Sequence, residues 1–535
     1  MLKPIANSRA NRWMLALLSP VLLWAAWPAG GFAPLSLVGF LPLLQLQDTT
    51  TRLREQGQNI RLFPYVYLSF AAFNALNTWW VWYASPFGMF GMIFANSLLM
   101  SIPFMLFDRT RRIFGNTWGY ISLPVYWISF EHLHMDWDLS WPWLNLGNVW
   151  AAWPNFIQWY EWTGTQGGSL WILAANIFLF RWIMTPLKKS VQHTVLAWVM
   201  LFPPLLSWFI LQDVETGSAK TEVVVVQPNI DPYNEKFSGN SAEQLERIIG
   251  LAEDQITSQT RIVVAPETAI PDGIWDEQLG SHPQLERIRS FLSKHPNIDL
   301  LIGLTYIRQY APNETPSPTA RMYPGTAGVR FDVYNAAIRM SAGRPDSMHF
   351  KSKLVPGVEK MPFPVIFGHL EEFAINLGGI TGSLGTQESP SVFPCGEVLA
   401  APVICYESVF GAYVGEYVRQ GANLICIMTN DGWWENTPGY RQHCQYARLR
   451  AIEHRSAVAR AANTGISCFI NPKGELTQAT GWWVPASIRT SLELRASTTF
   501  YTRHGDWIGR IFTTLGLLGL LPILVIKPKR VALQR

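Results

Sequence analysis

Long apolar runs separated by short polar connections fill the first part of the chain and return near its C-terminus. A helix needs about 20 mostly apolar residues to cross a bilayer. Eight runs reach or approach that length, at 13–28, 32–47, 62–84, 87–107, 117–133, 168–185, 194–212 and 507–526. We therefore expect a membrane domain with seven transmembrane helices over 1–215, and a last transmembrane helix with a short basic tail over 505–535. The first run, with its basic start and small residues at 29–33, also fits a cleaved signal peptide.

Lysine and arginine mark every second connection between these runs. Cytoplasmic connections of membrane proteins collect such residues. The flanking basic residues are Lys3, Arg9, Arg12, Arg52, Arg54, Arg61, Arg109, Arg111, Arg112, Arg181, Lys188, Lys189, Lys527, Lys529 and Arg530. The alternation predicts cytoplasmic termini and a long polar region outside the cytoplasm. The tryptophan-rich loop at 134–167 fits either an outer interfacial belt or ordinary packing between helices.

From about residue 220 the pattern changes to short strands alternating with helices. Apolar, β-branched segments predict buried strands at 223–227, 261–267, 298–304, 403–405 and 424–428. Helices are predicted at 242–258, where Ser241 and Gln244 resemble a capping box, and at 440–462. The segment 311–328, rich in Pro, Thr and Gly, is predicted to be an exposed loop. Together these elements predict an α/β domain of two packed sheets over 220–500.

The composition agrees with a membrane protein and argues against two kinds of site. Apolar residues make up 49% of the chain and charged residues 15%, with 25 Trp. The net charge is only +4, and no basic run interleaved with aromatics indicates nucleic-acid binding. The five cysteines are odd in number, so at least one stays unpaired in a monomer, and they show no zinc-like spacing. We expect no nucleic acid and no metal.

Three polar residues stand where predicted strands end: Glu267 in APETAIP, Lys351 in HFKSKLVPG and Cys405 in PVICYES. Taken singly, each has an ordinary explanation. A glutamate at a strand end forms a salt bridge, a lysine between strands is solvated, and a cysteine in an apolar strand belongs to the core. Taken together and in this order, they form a motif.

That motif resembles the nitrilase superfamily, and the eight apolar runs narrow the resemblance to its membrane-embedded branch, the apolipoprotein N-acyltransferase family. The stretches that carry it are VVQPNI at 225–230, APETAIP at 265–271, KSKLVPGVEKMP at 351–362, PVICYES at 402–408, TNDGWW at 429–434 and QH at 442–443. The resemblance implies an α-β-β-α sandwich beside a multi-span helical domain. It also implies that Glu267 is the general base, Lys351 the electrostatic stabiliser and Cys405 the nucleophile.

Further residues match positions around these motifs. The supporting or substrate-binding set implied by the resemblance is Glu359, Tyr406, Glu407, Phe237, Trp433 and Trp434. If the strand continues past Cys405, the side chain of Glu407 lies on the same face as that of Cys405. Glu407 then either supports the reaction or forms a structural ion pair. The spacing to Glu359 favours Lys351 over Lys353 as the functional lysine.

Two other residues near the motifs have plainer interpretations. Cys426 in LICIM is expected in the core, and His443 is interpreted as a structural or pocket residue. The chain departs from the family pattern at 356–359 (PGVE), at Phe237 where tryptophan is usual, and at 432–434 (GWW). The aromatic segment 361–379 and the pair Trp433–Trp434 suit arms that touch the bilayer.

The resemblance implies transfer of an acyl chain from a membrane phospholipid, through a Cys405 thioester, to the N-terminal amine of a diacylglyceryl apolipoprotein. No cofactor is implied, and the location is the bacterial inner membrane with a periplasmic catalytic domain. Two alternatives stay open: a membrane-tethered amidase acting on a soluble amide, and a non-enzymatic scaffold. A water-facing pocket favours the first, whereas the complete Glu–Lys–Cys set argues against the second.

Overall fold

The computed structural model describes residues 8–184, 189–214, 217, 219–323, 328–363 and 383–526. The chain forms two compact units. The helical unit comprises Met1–Val81, Phe87–Gln212 and Asp506–Arg535, and the sandwich unit comprises Trp82–Pro86 and Asp213–Gly505.

The helical unit is built from long apolar helices. In chain order these are α1 (Arg9–Ala26), α2 (Leu41–Glu55), α3 (Phe63–Thr78), α5 (Pro86–Leu133), α6 (Tyr160–Met184), α7 (Lys189–Gln212) and α13 (Trp507–Val525). The short α4 (Val81–Ala84) precedes α5, and all of it but Val81 is assigned to the sandwich unit. Helix α5 joins two predicted runs, with a break at Gly115, whose φ of 85° suits glycine. Between α5 and α6, residues 142–156 form 3₁₀ turns of three to seven residues each.

Among the described residues, four helices are long and apolar enough to cross a membrane: Pro86–Leu133, Tyr160–Met184, Val191–Gln212 and Trp507–Val525. The second predicted run is wrong in its bounds, because α2 begins at Leu41 rather than near 32. Residues Ala33–Leu37 form a 3₁₀ turn instead, with a proline at its start. Large apolar side chains are exposed on this unit, as on Trp198 and Leu521, which suits contact with lipid.

Among its described residues, the sandwich unit contains fourteen strands in chain order. They are β1 (Lys220–Gln227), β2 (Thr260–Val264), β3 (Ile270–Trp275), β4 (Asp299–Gln309), β5 (Arg321–Met322), β6 (Arg330–Ser341), β7 (Arg344–Phe350), β8 (Phe393–Cys395), β9 (Val398–Ile404), β10 (Leu424–Thr429), β11 (Val458–Ala462), β12 (Cys468–Ile470), β13 (Leu476–Ala479) and β14 (Ala486–Glu493). The α-helices in this described part are α8 (Ser241–Glu253), α9 (Pro283–Lys294), α10 (Gly411–Arg419), α11 (Pro438–His454) and α12 (Phe500–His504). All five predicted strands are present with extended or shifted ends.

The strands form two sheets. The first has the order β14-β1-β2-β4-β6-β5, with β3 also paired to β4 and β7 to β6. The second has the order β13-β12-β11-β10-β9-β8. Parallel pairing at β1–β2–β4 and at β9–β10–β11 brings the C-terminal ends of these strands to one edge of each sheet. Residues that follow those strands are thereby placed to form a site.

Alternation along β1 shows how the layers are made. Val223 and Val225 face the core shared with Ile404 and Cys426 of the second sheet, so the two sheets pack face to face. Val224 and Val226 point the opposite way, into a core with side chains of α8 and α9. This agrees with the predicted helix-covered sandwich of two sheets. Cys426 is fully buried in the core, as predicted.

Two predicted helices are wrong in detail. The helix predicted at 440–462 ends at His454, because Arg455 adopts left-handed φ and ψ of 47° and 42° and 458–462 form β11. Ala459 and Ala461 of β11 pack between the sheets, so tertiary packing overrides the helix propensity of VARAA. Helix α8 is capped by Asn240, whose side chain accepts from the Ala242 N–H at 3.1 Å, and not by Ser241.

Candidate active site

Glu267 follows β2 on a short loop that lies against β4. An added Cβ on Gly303 would stand 2.7 Å from the Cα of Glu267, so only glycine lets β4 approach this loop. The next residue, Thr268, has a left-handed φ of 49°. The carboxylate of Glu267 is 6% exposed and accepts from Asn335 Nδ2 at 2.7 Å and from the Asn430 N–H at 3.1 Å.

Lys351 lies between two carboxylates. Its Nζ donates to Glu267 Oε1 at 2.9 Å and to Glu359 Oε1 at 2.8 Å, and the residue is 1% exposed. Asn335 binds both carboxylates through Nδ2, while the Val355 N–H donates to Glu359 Oε2 at 2.9 Å. We name Glu267, Lys351, Glu359 and Asn335 the pocket network.

The charges of this network set its protonation. Burial opposes ionisation of Glu267, but Lys351 and Lys236 outweigh it and hold the pKa of Glu267 below its ordinary value. Burial likewise opposes the charge on Lys351, yet Glu267 and Glu359 raise its pKa well above 10.5. Near pH 7 the carboxylate is therefore ionised and the lysine is a cation.

Cys405 is strained and buried. Strand β9 ends at Ile404, and Cys405 has a φ of 49° at the start of a 3₁₀ turn over Cys405–Val409. Such conformations cost about 1–3 kcal/mol and gather at functional sites. Burial raises the pKa of the Cys405 thiol, the charge of Glu267 raises it further, and Lys351 and a hydrogen bond with Thr429 oppose the rise. The residue thus rests as a thiol beside an ionised carboxylate.

The strand does not continue beyond Cys405, so the predicted shared face with Glu407 is wrong. Glu407 instead accepts from five donors, two of them backbone groups: the Ile404 N–H at 2.8 Å and the Ser352 N–H at 2.7 Å. The other donors are the side chains of His349, Tyr413 and Tyr417. Because Ile404 precedes Cys405 and Ser352 follows Lys351, this carboxylate ties together the two segments that hold the site.

A second set of buried charges lies on the other side of Cys405. His443 Nε2 lies 3.2 Å from the Cys405 carbonyl oxygen, and its Nδ1 lies 2.9 Å from Asp431 Oδ1. Arg460 donates to Asp431 Oδ2 at 2.7 Å, and all three side chains are fully buried. We name Asp431, His443 and Arg460 the support network. The interpretation of His443 as a structural residue agrees with these contacts.

Lys236 was not singled out in the sequence. It is 3% exposed, and its Nζ donates to the backbone carbonyl of Glu267 at 3.0 Å. Burial lowers its pKa to about 8, against the opposing charges of Glu267 and Cys405. The only clue in the sequence was the position of Lys236 directly before Phe237, in the stretch that follows QPNI. A lysine in the polar segment NEKFSGN otherwise has the pattern of a solvated loop residue. Only the fold buries it.

A pocket of about 290 Å³ opens beside the pocket network. Its lining includes Lys236, Glu267 and Glu359 together with the aromatic rings of Phe237 and Trp433. Phe237 is 61% exposed, and its ring stacks on that of Trp433 with centroids 6.2 Å apart. An exposed aromatic mouth leading to buried charges suits a substrate with an apolar part and a polar reacting group.

The remaining predicted site residues lie elsewhere. Tyr406 is 3% exposed and packs its ring against Phe410, and Trp434 packs edge-on against His443, with neither among the residues that line the pocket. Lys353 lies over the rings of Phe410 and Tyr413 and is not part of the pocket network. Of the aromatic segment 361–379, all but its first residues at 361–363 lie outside the described residues.

The described part of the chain contains neither a metal-binding cluster nor a disulfide. Within it, no group of three or more His, Cys, Asp or Glu side chains is arranged to hold a metal ion. All five cysteines are buried and unlinked, with Cys444 Sγ and Cys468 Sγ 3.9 Å apart.

Two family models match the chain. The carbon-nitrogen hydrolase family matches residues 222–494, and the apolipoprotein N-acyltransferase N-terminal domain matches residues 19–178. These matches and the fold define the class: a membrane protein that joins an apolar helical unit to a nitrilase-like domain.

Curated relatives define the family more narrowly. The chain is 31% identical over 543 residues to the apolipoprotein N-acyltransferase of Chlorobaculum tepidum, with 97% of each chain covered. It is 26% identical over 517 residues to that of Geobacter metallireducens, with 92% of each covered. The chain belongs to the apolipoprotein N-acyltransferase family, as the sequence motifs predicted.

Two solved structures are similar to about half of this chain. A branch 10 member of the nitrilase superfamily from Saccharomyces cerevisiae is 17% identical with a TM-score of 0.35, covering 52% of this chain and 92% of its own. An amidase from Nesterenkonia sp. is 14% identical with a TM-score of 0.35, covering 55% of this chain and 96% of its own.

Proposed function

We propose that this chain transfers an acyl chain from a membrane phospholipid to the N-terminal amine of a diacylglyceryl apolipoprotein, through a thioester on Cys405. The observation that carries the proposal is the buried Lys351, held 2.9 Å and 2.8 Å from Glu267 and Glu359 beside a strained cysteine. Family membership supplies the reaction class, and this geometry supplies the groups that the reaction needs.

In the first half-reaction, Cys405 Sγ attacks the ester carbonyl of the phospholipid. Because the thiol rests protonated and Glu267 rests ionised, the proton passes to Glu267 as the C–S bond forms. The negative charge on the former carbonyl oxygen is met by the Lys351 cation, which is already in place. Collapse breaks the acyl C–O bond, and the leaving alkoxide takes the proton from Glu267 and departs as lysophospholipid.

In the second half-reaction, the acceptor amine attacks the thioester. Glu267 takes the proton from the amine, the C–N bond forms, and the C–S bond breaks. The departing thiolate of Cys405 then receives the proton from Glu267, which restores the resting pair. The acceptor's own lipid brings its amine to the thioester, so proximity selects it.

The supporting residues divide between the mouth of the pocket and the contacts that hold Lys351 and Cys405 in place. Phe237 and Trp433 present their stacked rings at the mouth, where they contact the apolar part of either lipid substrate. Glu359 keeps Lys351 charged and in place, while Glu407 positions the segments on which Lys351 and Cys405 lie. No cofactor enters either half-reaction.

We place the protein in the bacterial inner membrane with both termini cytoplasmic and the sandwich unit periplasmic, since basic residues flank alternate connections. Cysteine reporters at two exposed positions test this topology: Asn313→Cys in the sandwich unit and Gln58→Cys after α2. A membrane-impermeant thiol reagent added from the outside should label the first and spare the second. The reverse labelling would overturn the topology while leaving the chemistry untouched.

The transfer itself is tested on the isolated acyl-enzyme. Purified protein is loaded with phospholipid, freed of donor, and followed by intact mass in buffer alone or with a diacylated lipopeptide bearing a free N-terminus. We expect slow loss in buffer and rapid loss with lipopeptide, because the acyl chain is shielded from water until the amine arrives. An N-acetylated lipopeptide is the matched control and should leave the adduct in place. Rapid loss in buffer that lipopeptide does not change would instead identify an amidase-like hydrolase.

A further inference from the structure

A groove of about 460 Å³ runs along the helical unit. It lies between three helical stripes, each spaced as one face of a helix: the first half of α5, the second half of α5, and α13. The stripes consist of Leu99, Ile102, Pro103 and Leu106, then Tyr126, Ser129, Phe130 and Leu133, then Thr513, Gly516, Leu517 and Leu520. All of these residues belong to the helical unit, whereas the pocket network belongs to the sandwich unit.

The floor of the groove is fixed by a close helix contact. Ser129 Oγ donates to the backbone carbonyl of Phe512 at 2.8 Å, and a Cβ added to Gly516 would meet Ser129 Oγ at 2.6 Å. Small residues at such a contact let two membrane helices approach closely. The close packing of α5 against α13 therefore gives the groove a defined shape.

One end of the groove is polar and carries two unpaired groups. His134, Asp136 and Trp137 line this end, next to Leu133. Among the described residues, His134 Nε2 and Thr513 Oγ1 are buried atoms that have no hydrogen-bond partner. Buried polar atoms without partners are uncommon in folded proteins and call for an occupant.

The tautomer of His134 identifies what the occupant must supply. Burial lowers the pKa of His134 to about 4, so its ring is neutral near pH 7. Its Nδ1 accepts a hydrogen bond from Trp137 Nε1 at 2.9 Å, so the ring proton lies on Nε2. Both orphan groups are then donors, and they require an acceptor such as a phosphate or ester oxygen.

Surroundings and charge narrow the occupant to a lipid. The groove is lined by α5 and α13, which are long and apolar enough to cross a membrane, where lipid is the surrounding solvent. An extended acyl chain fits the apolar stripes. Asp136 at the polar end disfavours an anionic headgroup, and the cation of Arg510 lies three residues before Thr513 on α13, about one helical turn away. Both Asp136 and Arg510 act electrostatically on His132, so side chains of both signs lie near that residue.

We propose that this groove is a binding site for one zwitterionic glycerophospholipid that is not consumed by the reaction. One acyl chain lies along the stripes, and oxygens of the glycerol or phosphate region accept from His134 Nε2–H and from the Thr513 hydroxyl. The site goes beyond the proposed acyl transfer and does not depend on it.

Lipid retention tests the two donors. Delipidated full-length protein is titrated with phosphatidylethanolamine or phosphatidylglycerol in mixed micelles and examined by native mass spectrometry. We expect one retained phosphatidylethanolamine, held about tenfold more weakly by Thr513→Val and by His134→Phe, since each loses one hydrogen bond. Thr514→Val is the matched control on the same helix, because its hydroxyl donates within the helix to the Arg510 carbonyl. Equal lipid retention by the wild-type protein and the three variants would show that the groove is covered only by non-specific annular lipid. That result would overturn the proposal.

A second measurement needs only the wild-type chain. A phosphatidylethanolamine with a diazirine on its acyl chain should cross-link chiefly to 99–106 and 516–520. Cross-links spread evenly over exposed apolar residues such as Trp198 and Phe202 of α7 would contradict a specific site. During turnover the retained lipid should keep its intact mass. A lysophospholipid mass in the groove would mean that the bound lipid is the acyl donor, and would overturn a resident role.

Discussion

Two buried sets of charges flank Cys405, and they differ in what they face. The pocket network reaches an open pocket through Glu267 and Glu359. The support network is fully buried, and none of Asp431, His443 and Arg460 lines that pocket. Both sets pair a carboxylate with a cation, so the pairing alone does not distinguish chemistry from support.

The distinction lies in what each set touches. The pocket network lines an open pocket with the ionised carboxylate of Glu267, which is paired with the Lys351 cation near a thiol whose pKa is raised. The support network contacts the backbone carbonyl of Cys405 and fixes the strained residue in place. Buried ion pairs add little net stability on average, so their value here is geometric. Each of the following variants separates the two roles.

The largest effect is expected for the nucleophile. Cys405→Ala should abolish the acyl adduct seen by intact mass after incubation with phospholipid. Cys426→Ala is the matched control, because Cys426 is fully buried in the core between the sheets and should keep the adduct despite some loss of stability. An adduct that persists in Cys405→Ala would place the nucleophile elsewhere.

The next largest effect is expected for the cation of the pocket network. Lys351→Met should slow acylation by about 100–1,000-fold, the usual effect of removing one fixed donor to an oxyanion. Lys353→Met is the control and should acylate nearly as wild type, since its ammonium lies over the rings of Phe410 and Tyr413. Single-turnover kinetics measure the acylation rate of each variant. Similar losses of that rate in both variants would contradict a special role for Lys351.

Lys351→Met also has a signature in stability. Without the lysine, Glu267 and Glu359 repel each other, so the folded-state pKa of the pair rises above its unfolded value. The folded variant then binds more protons than the unfolded chain, and its stability should fall as pH rises through that window. Thermal unfolding from pH 5 to 8 measures this trend. A loss of stability that does not change with pH would argue against two ionised carboxylates at this point.

A smaller and different effect is expected in the support network. His443→Phe removes the contacts to Cys405 and Ser408, so unfolding should cost about 1–3 kcal/mol less. Acylation by the folded fraction should drop by no more than about tenfold, because no group that faces substrate is lost. A loss of 100-fold or more at unchanged melting temperature would move His443 into the pocket chemistry.

The smallest effect is expected for Lys236 and depends on pH. Its pKa of about 8 means that the cation is present below pH 8 and lost above it. Wild-type acylation should therefore decline as pH rises through about 8, whereas Lys236→Met should start lower and show no such decline. The folded-state pKa lies below the ordinary 10.5, so its contribution to stability rises with pH between these values. A decline near pH 8 that persists in Lys236→Met would assign it to another group.

Sequence reasoning reached the fold class and the members of the motif, and it failed where contacts distant in the chain decide. The buried strands were recognised because β-branched runs such as 223–227 carry a local signal. Strand β11 was missed because VARAA has helix propensity, and only packing between the sheets makes it extended. The interpretation of Glu407 required the strand to continue past Cys405, whereas β9 ends at Ile404.

The sequence by itself determined that apolar runs alternate with basic connections, that an α/β domain follows, and that Glu267, Lys351 and Cys405 stand in family motifs. Hydrophobic length, period and motif order are properties of neighbours along the chain. The tertiary structure alone decided that Lys236 is buried against Glu267, that Glu407 ties two segments together, and that His134 and Thr513 line one groove. Burial and electrostatic pairing depend on residues far apart in sequence, and folding brings them together.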